Sequence, residues 1–545
     1  MRIISLALLI ALLTTISAAQ APAANDALQK IDPERIRAHV KFLASDLLEG
    51  RGTGQRGGDI AAEYIATQFA MYGLQPAGDN GTYMQKVPMM GVTPDASSKF
   101  SFTSASGSTD LKVLDQYVAY DQTQQPQSDV DADIVYVGYG IEAPEYKWDD
   151  YKGVDVKGKV LLMLVNEPLS SDVNFFNGRA LTYYGRWMYK YEQAARKGAV
   201  GAILIHKTNM ASYPWEVVRN SNSGEKSYLK LDGTPKLKVA AWVQLEVARQ
   251  LVEGAGMNLD KLLLEAQSTD FHPVALSTRL KAHMVNKLRP FEGNNVVAML
   301  PGSDSKLKKE AVVYSAHYDH LGIRPDMPGD NIYNGANDNA TGCGILMELA
   351  RAYSEASQKP RRSIAFAAVT AEEQGLLGSE YLGKHPPIPA GKITLDLNFD
   401  DIPPLGTPEE VEVSGSERTT FYPKVEAVAK DFKLTIRPDS FPEAGHYYRS
   451  DHFSMARVGI PSFSVNEGMK FKGQDAAWGI KKADDFTAKD YHQPSDEYRA
   501  DMDFNADAVM ARFGFALGWQ AANQAELIGW QKGDEFEPAR LKSTH

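Results

Sequence analysis

The sequence predicts an α/β fold: a mostly parallel-type central sheet flanked by helices, with an inserted smaller β-rich α+β domain. Two observations predict the sheet. Continuously apolar runs recur at Ala311–Ala316, Ile364–Thr370 and Ile393–Phe399, and strands apolar on both faces belong to parallel sheets covered by helices on each side. Between the first two runs lies Gly342–Ser357, with Ile345, Leu346, Leu349 and Tyr353 at helical spacing. A third observation predicts the insertion. After the linker-like stretch Gln122–Ser128 the texture changes to glycine-punctuated strands, Ala132–Gly140 and Val156–Val165, then a helix at Tyr189–Lys197 and a strand at Gly198–Ile205.

Taken in order, the chain begins with Arg2, an apolar run Ile3–Ile16 and the small-x-small triplets Ser17-Ala18-Ala19 and Ala19-Gln20-Ala21. This reads as a signal peptide over 1–19, with an apolar run too short to span a membrane. Ile36–Leu47 and Asp59–Tyr72 read as helices, joined by the glycine-rich link Leu48–Gly54. That link follows no strand and precedes no Gly-Lys-Ser/Thr, so it is a poor phosphate loop. The expected organisation is a first part of the main domain at 25–128, the insert at 129–275, the remainder of the main domain at 276–530 and a tail at 531–545. A length of 545 residues fits two or three domains. The net charge of −11 disfavours nucleic acid as a partner. Cys343 is the only cysteine, so no intrachain disulfide forms, and it reads as a packing residue.

The apolar runs end in polar residues of one chemical kind. The first delivers His317-Tyr318-Asp319-His320, the second Glu372-Glu373, the third Asp400; Asp338 and His492 sit on further short motifs. In open parallel sheets ligands bind beyond the carboxyl ends of the strands. A pair of cations about 3.5–4 Å apart requires a bridging carboxylate, further carboxylate and imidazole ligands, and an unligated base. His317, Asp338, Glu373, Asp400 and His492, with Glu372 to spare, have that stoichiometry. A lone His-x-Asp or Glu-Glu usually marks a solvated turn, and His320, His385, His446 and His452 are left in that class.

Six stretches together carry a family resemblance: His317–Gly322, Gly335–Gly342, Glu372–Ser379, Asn398–Asp400, Arg449–His452 and Tyr491–Asp496. They resemble the signature blocks of the co-catalytic zinc aminopeptidases, in the superfamily of glutamate carboxypeptidase and the transferrin receptor. The resemblance implies the zinc aminopeptidase fold, with the middle segment similar to a protease-associated domain. It implies two zinc ions bridged by Asp338, with His317 and Asp400 on one and Glu373 and His492 on the other. Glu372 would be the general base, Asp319 would orient His317, Tyr491 would polarise the scissile carbonyl, and Arg449 would lie near the substrate's amino end. Asn337, Thr341 and Cys343 depart from the usual pattern without removing a ligand. Asp401 beside Asp400 leaves a one-residue ambiguity, resolved by the Asn-x-Asp spacing.

The expected function is an exported zinc-dependent metallopeptidase, periplasmic or secreted, removing N-terminal residues from peptides. It would have no stable membrane anchor after signal cleavage. A carboxypeptidase of the glutamate carboxypeptidase type, a glutaminyl cyclase-like acyltransferase and a metal-free binding protein are the alternatives. A carboxypeptidase would need a cationic pocket for the substrate's carboxylate, which the matched blocks lack and the insert would have to supply.

Overall fold

Strand β2, Ala311–His317, is buried at every position, as are β3, Ser363–Val369, and β4, Ile393–Asn398. Such strands find partners only inside a sheet covered on both sides. In the computed structural model, which describes residues 26–104, 107–325 and 327–544, β2 pairs in parallel with both β3 and β4. A short β5, Ser462–Ser464, extends the sheet in parallel beyond β4. On the other side β3 pairs antiparallel with β1, Val274–Leu300. The order is β5-β4-β2-β3-β1. The apolar run assigned to a signal peptide lies outside the described residues, and no helix among the described residues is long and apolar enough to cross a membrane.

Alternate residues of each strand serve opposite faces. Val312 and Tyr314 join a core with α1 (Pro33–Leu43), α2 (Arg56–Met71), α3 (Gly342–Ser354) and α4 (Asn505–Asn523), through Ile36, Phe69, Leu349 and Phe515. Val313 and Ala365 face the other way, onto Leu382 and Met455. Helix α1 starts where Asp32 accepts a hydrogen bond from the Glu34 amide and Pro33 takes the first turn.

The 27-residue β1 is long enough to serve two regions. Its second half pairs with strand Met84–Pro94 and with β3, while its first half pairs with Lys99–Ser104 and Gln127–Tyr136. From Gln127–Tyr136 the sheet continues in parallel through Val160–Leu164, Gly201–His206 and Val239–Gln244, and ends on antiparallel Tyr117–Tyr120. Helix Trp187–Arg196 supplies the predicted crossover before Gly201–His206. This middle segment has its own apolar core, built on Leu162, Ile203 and Val243.

The glycine-rich link has a structural purpose. Gly50 adopts φ 66°, and a Cβ there would lie 2.5 Å from the Tyr333 carbonyl. The tight turn drives Arg51 into the interior, fully buried. Its guanidinium donates to the backbone oxygens of Tyr318, Leu43, Asn334 and Gly335 at 2.5–2.8 Å. One side chain thereby ties the loop after β2 to the loop before α3. Arg51→Met leaves these buried carbonyls without a donor, so we expect a loss of about 3 kcal/mol or more in unfolding free energy. A denaturation midpoint equal to that of the unaltered protein would exclude this role.

Candidate metal centre

Strand register explains why residues far apart in the chain converge. Ser315 on β2 pairs with Asn398 on β4, and each stands two residues before its polar terminus, His317 and Asp400. His317 in turn pairs with Val369 on β3, so the turn carrying Glu372 and Glu373 leaves the sheet at the same level. Ala371, Asp401 and His492 all adopt left-handed backbone conformations, with φ of 57°, 54° and 55°. Strain of this kind concentrates at functional sites, where the surroundings impose it.

Asp338 is the meeting point. Its Oδ1 lies 3.3 Å from His317 Nε2, and its Oδ2 lies 3.3 Å from His492 Nε2. On the first side Asp400 Oδ1 is 3.0 Å from His317 Nε2; on the second, Glu373 Oε2 is 3.1 Å from His492 Nε2. The side chains of His317, Asp338 and Asp400 form one group able to hold a cation, and those of His320, Asp338 and Glu373 form another. Asp400, not Asp401, is the member of the first group. Glu372 stands outside both and lines the adjoining cavity.

The electrostatics demand positive charge. Burial works against a protonated His317, yet Asp400, Glu372 and Asp338 outweigh it and raise its pKa well above the imidazole range. Burial likewise opposes charge on His492, but Glu373 and Asp338 lift it to about 10. Burial raises Glu373, and its interactions with the His492 and His320 imidazoles overcome that, bringing it down to about 2. Glu372 goes the other way: burial, reinforced by Glu373, Asp400 and Asp451 and opposed by His317, pushes it well above the carboxylate range. Asp338, Glu373 and Asp400 together carry three negative charges when ionised, which divalent cations at the two groups would offset. Mixed imidazole and carboxylate donors on both sides of one carboxylate suit zinc. His317, Asp400 and Asp338 would hold one ion, and Glu373 and Asp338 the other, where two imidazoles converge: His320, the member of the second group, and His492, 3.1 Å from Glu373 Oε2 though outside that group.

The supporting contacts are as ordered as the ligands. His317 Nδ1 lies 3.1 Å from the backbone oxygen of Asp319, nearer than the carboxylate at 3.8 Å. The Asp319 carboxylate instead accepts the Glu372 amide at 3.0 Å and the Thr53 hydroxyl at 2.9 Å, so it positions the Glu372 turn. Ser450 donates to Asp400 Oδ2 at 2.5 Å and accepts from Asn398 at 2.7 Å. Tyr491 stacks on His492 with ring centroids 4.0 Å apart, and burial raises its pKa well above the phenol range, keeping it a proton donor. Cys343 is buried against the His317 carbonyl, its thiol pushed up to about 12 by burial, in keeping with a packing residue.

Four contributors escaped the sequence reading. His320, left there among solvated turns, is fully buried, with Nδ1 2.6 Å from Glu373 Oε1 and no partner for Nε2 among the described residues. Its place in the ligand-dense run His317–His320 was the available signal. Asp496 accepts the amides of Asn337 and Asp338 at 3.0–3.2 Å, clamping the loop of the bridging residue; it lies in the quoted Tyr491–Asp496 stretch. Arg51 is the third. The last is Ser221, which ends helix Trp215–Ser221 of the middle segment, 271 positions from His492; its hydroxyl lies 2.7 Å from His492 Nδ1. Asn220 donates to the His492 carbonyl and to Gln493, both at 3.0 Å. No local pattern marks either residue. His385, His446 and His452 lie outside both ligand groups.

A cavity of about 250 Å³ adjoins the centre. Glu372, Glu373, Tyr448, Arg449, Tyr491 and His492 form one wall, and residues of the middle segment, among them Arg186, Trp187, Tyr213, Lys226 and Trp242, form the other. Lys226 is buried and donates to the Glu373 carbonyl at 3.3 Å; burial brings it down to about 8, opposed by Glu373 and Glu372.

Fold and side-chain arrangement place two candidate cation groups, sharing Asp338, at the carboxyl ends of a parallel sheet. Residues 295–514 match the family described as peptidase family M28. Leupeptin-inactivating enzyme 1 of Streptomyces exfoliatus is 29% identical over 232 residues, 40% of this chain and 47% of that relative. A glutamate carboxypeptidase 2 homolog of Caenorhabditis briggsae is 28% identical over 313 residues, 50% of this chain and 38% of that relative. The chain thus spans less than half the length of these curated relatives. An aminopeptidase from Aneurinibacillus sp. strain AM-1 shares the fold, with a TM-score of 0.54 at 19% identity over 92% of this chain and 97% of that one.

Because Ser221 touches the ring nitrogen that faces away from the cluster, Ser221→Ala removes the partner that fixes the His492 tautomer. We expect zinc affinity to fall roughly 10–100-fold, measured by competition with a chromogenic chelator. Unchanged affinity would reduce Ser221 to a packing contact.

Proposed function

We propose that this protein is an exported, zinc-dependent exopeptidase that hydrolyses the N-terminal peptide bond of peptides. The observation that carries the reading is the two-sided carboxylate of Asp338, flanked by His317 and Asp400 on one side and Glu373 and His492 on the other, with Glu372 unligated beside the cavity. Export rests on the apolar N-terminal run of the sequence. The peptidase reading also draws on the M28 match and on a fold neighbour that is an aminopeptidase. A one-metal cyclase has no use for a carboxylate whose two oxygens face separate ligand groups.

Bound zinc would supply Lewis-acid polarisation of the scissile carbonyl and lower the pKa of water. Glu372 would do the proton work. Its carboxylate oxygen accepts a proton from the attacking water as the new C–O bond forms, then delivers it to the departing amine as the C–N bond breaks. Asp319 holds this base in place through the Glu372 amide. The Tyr491 hydroxyl, kept protonated by burial, donates to the carbonyl oxygen as negative charge develops there. The middle segment forms the far wall of the cavity and limits how much peptide enters.

Glu372→Gln should retain the metal content of the unaltered protein while lowering kcat by roughly 10²–10⁴-fold. Loss of a metal ion on that substitution would make Glu372 a ligand and invalidate the assignment.

Direction of attack is tested separately. Stepwise release of residues from the N-terminus of a free peptide is expected, with none from its N-acetylated analogue. Release of C-terminal residues from the acetylated peptide would reverse the direction and leave the metal centre standing.

A further inference from the structure

Two imidazoles reach the carboxylates of the second cation group, and they reach them differently. Ligands of one ion stand at nearly equal distances from one another, roughly 3.3–3.6 Å for donors about 2.0–2.2 Å from a tetrahedral zinc. His492 Nε2 comes close to that pattern, 3.1 Å from Glu373 Oε2 and 3.3 Å from Asp338 Oδ2. His317 Nε2 does the same in the first group, 3.0 Å from Asp400 and 3.3 Å from Asp338. His320 Nδ1 departs from it on both sides. It is 2.6 Å from Glu373 Oε1, a short hydrogen bond, and 3.8 Å from Asp338 Oδ2. The ring is also held where it is. His320 is fully buried, and its amide donates to the Arg51 carbonyl at 3.2 Å. Gly335, at φ 57°, passes so close that a Cβ there would lie 2.7 Å from His320 Cγ. Arg51 in turn fixes the Gly335 carbonyl at 2.8 Å.

We infer that His320 is a positioning residue and not a ligand: its Nδ1–H occupies Glu373 Oε1 and leaves Oε2 alone to meet a cation beside His492. The inference rests on the metal-centre reading and specifies how the second position is built. An ionised carboxylate only accepts hydrogen bonds, so Nδ1 carries the hydrogen. Nε2 has no partner among the described residues, which makes Glu373 the one hydrogen-bond partner of the ring there. Lys226 already holds the Glu373 carbonyl from the middle segment; what remains to be fixed is the carboxylate. With both oxygens unengaged, Glu373 would be able to chelate one ion through the pair. With Oε1 taken, it ligates through one oxygen. The second ion then has three protein ligands, Asp338, Glu373 and His492. Three protein ligands and one open position are the pattern of catalytic zinc sites, whereas structural sites are closed by four. The cavity lined by Glu373 and His492 gives access to that open position.

The test is metal binding by the full chain, with zinc titrated against a chromogenic chelator and with cobalt(II) as a second probe. Visible absorption of cobalt(II) is strong in four-coordinate sites and fades as coordination rises. The unaltered protein should take up two ions. His320→Leu releases Glu373 Oε1 and should weaken one of the two roughly 10–100-fold, with fainter cobalt bands as Glu373 turns to chelate through both oxygens. His320→Asn sets an amide N–H close to the place of Nδ1 and should restore both affinity and spectrum. His320→Gln, whose amide falls nearer the Nε2 position, should behave like His320→Leu. Binding in His320→Asn as weak as in His320→Leu would overturn the inference, by showing the imidazole itself to be the ligand. Unchanged affinity in His320→Leu would overturn it as well. Uptake of fewer than two ions by the unaltered protein would bring down the metal-centre reading, and the inference with it. No readout here needs a peptide to be cleaved, so the result is separate from the fate of the exopeptidase reading.

Discussion

A single buried carboxylate, that of Asp338, sets the terms for the rest of this structure. Its two oxygens face separate imidazoles at 3.3 Å, and Glu373, Asp400 and Glu372 crowd around it. Burying that much negative charge is costly unless positive charge meets it at close range. The fold therefore has to deliver ligands from several strands and loops to one point, and hold their backbones against mutual repulsion. Three strand ends at one level of a parallel sheet supply the first requirement. Left-handed residues at the turns, together with hydrogen bonds from behind, supply the second.

Those supports come from regions with no ligand of their own. Arg51 sits in the segment between two N-terminal helices, yet binds the backbone beside both His317 and Asp338. Thr53 reaches Asp319, which holds Glu372. Asp496 holds the amide of Asp338 from four residues beyond His492. The contacts interlock, so displacing one loop disturbs both ligand groups. Such coupling gives a metal centre its rigidity: a ligand is useful only when its neighbours fix its rotamer and tautomer.

The middle segment is part of this machinery and not merely a cover. Ser221 and Asn220 grip His492, while Lys226 and the Ser227 amide engage the backbone of Glu373 and the side chain of Gln374. The segment that walls the substrate cavity therefore also touches one ligand group. His492 is therefore held from that wall as well as from its own loop.

The sequence by itself determined the α/β class, the strands that end at the site, and the ligand types, because those depend on local periodicity and on chemically distinctive short motifs. Gly342–Ser354 was legible as a helix from its apolar spacing, and the polar residues at strand ends and in the matched stretches marked His317, Asp338, Glu373, Asp400 and His492, which the fold brings within reach of one another. Only tertiary structure decided the rest. His320 looked like a turn residue because burial, not identity, makes it a neighbour of Glu373. Arg51 looked like part of a flexible link because its acceptors are backbone oxygens up to 284 positions away, which leave no mark on the side-chain pattern. Ser221 gave no signal at all, since an ordinary serine acquires a role only when folding brings it against an imidazole. Local sequence encodes what a segment forms; which distant group completes it is settled by packing.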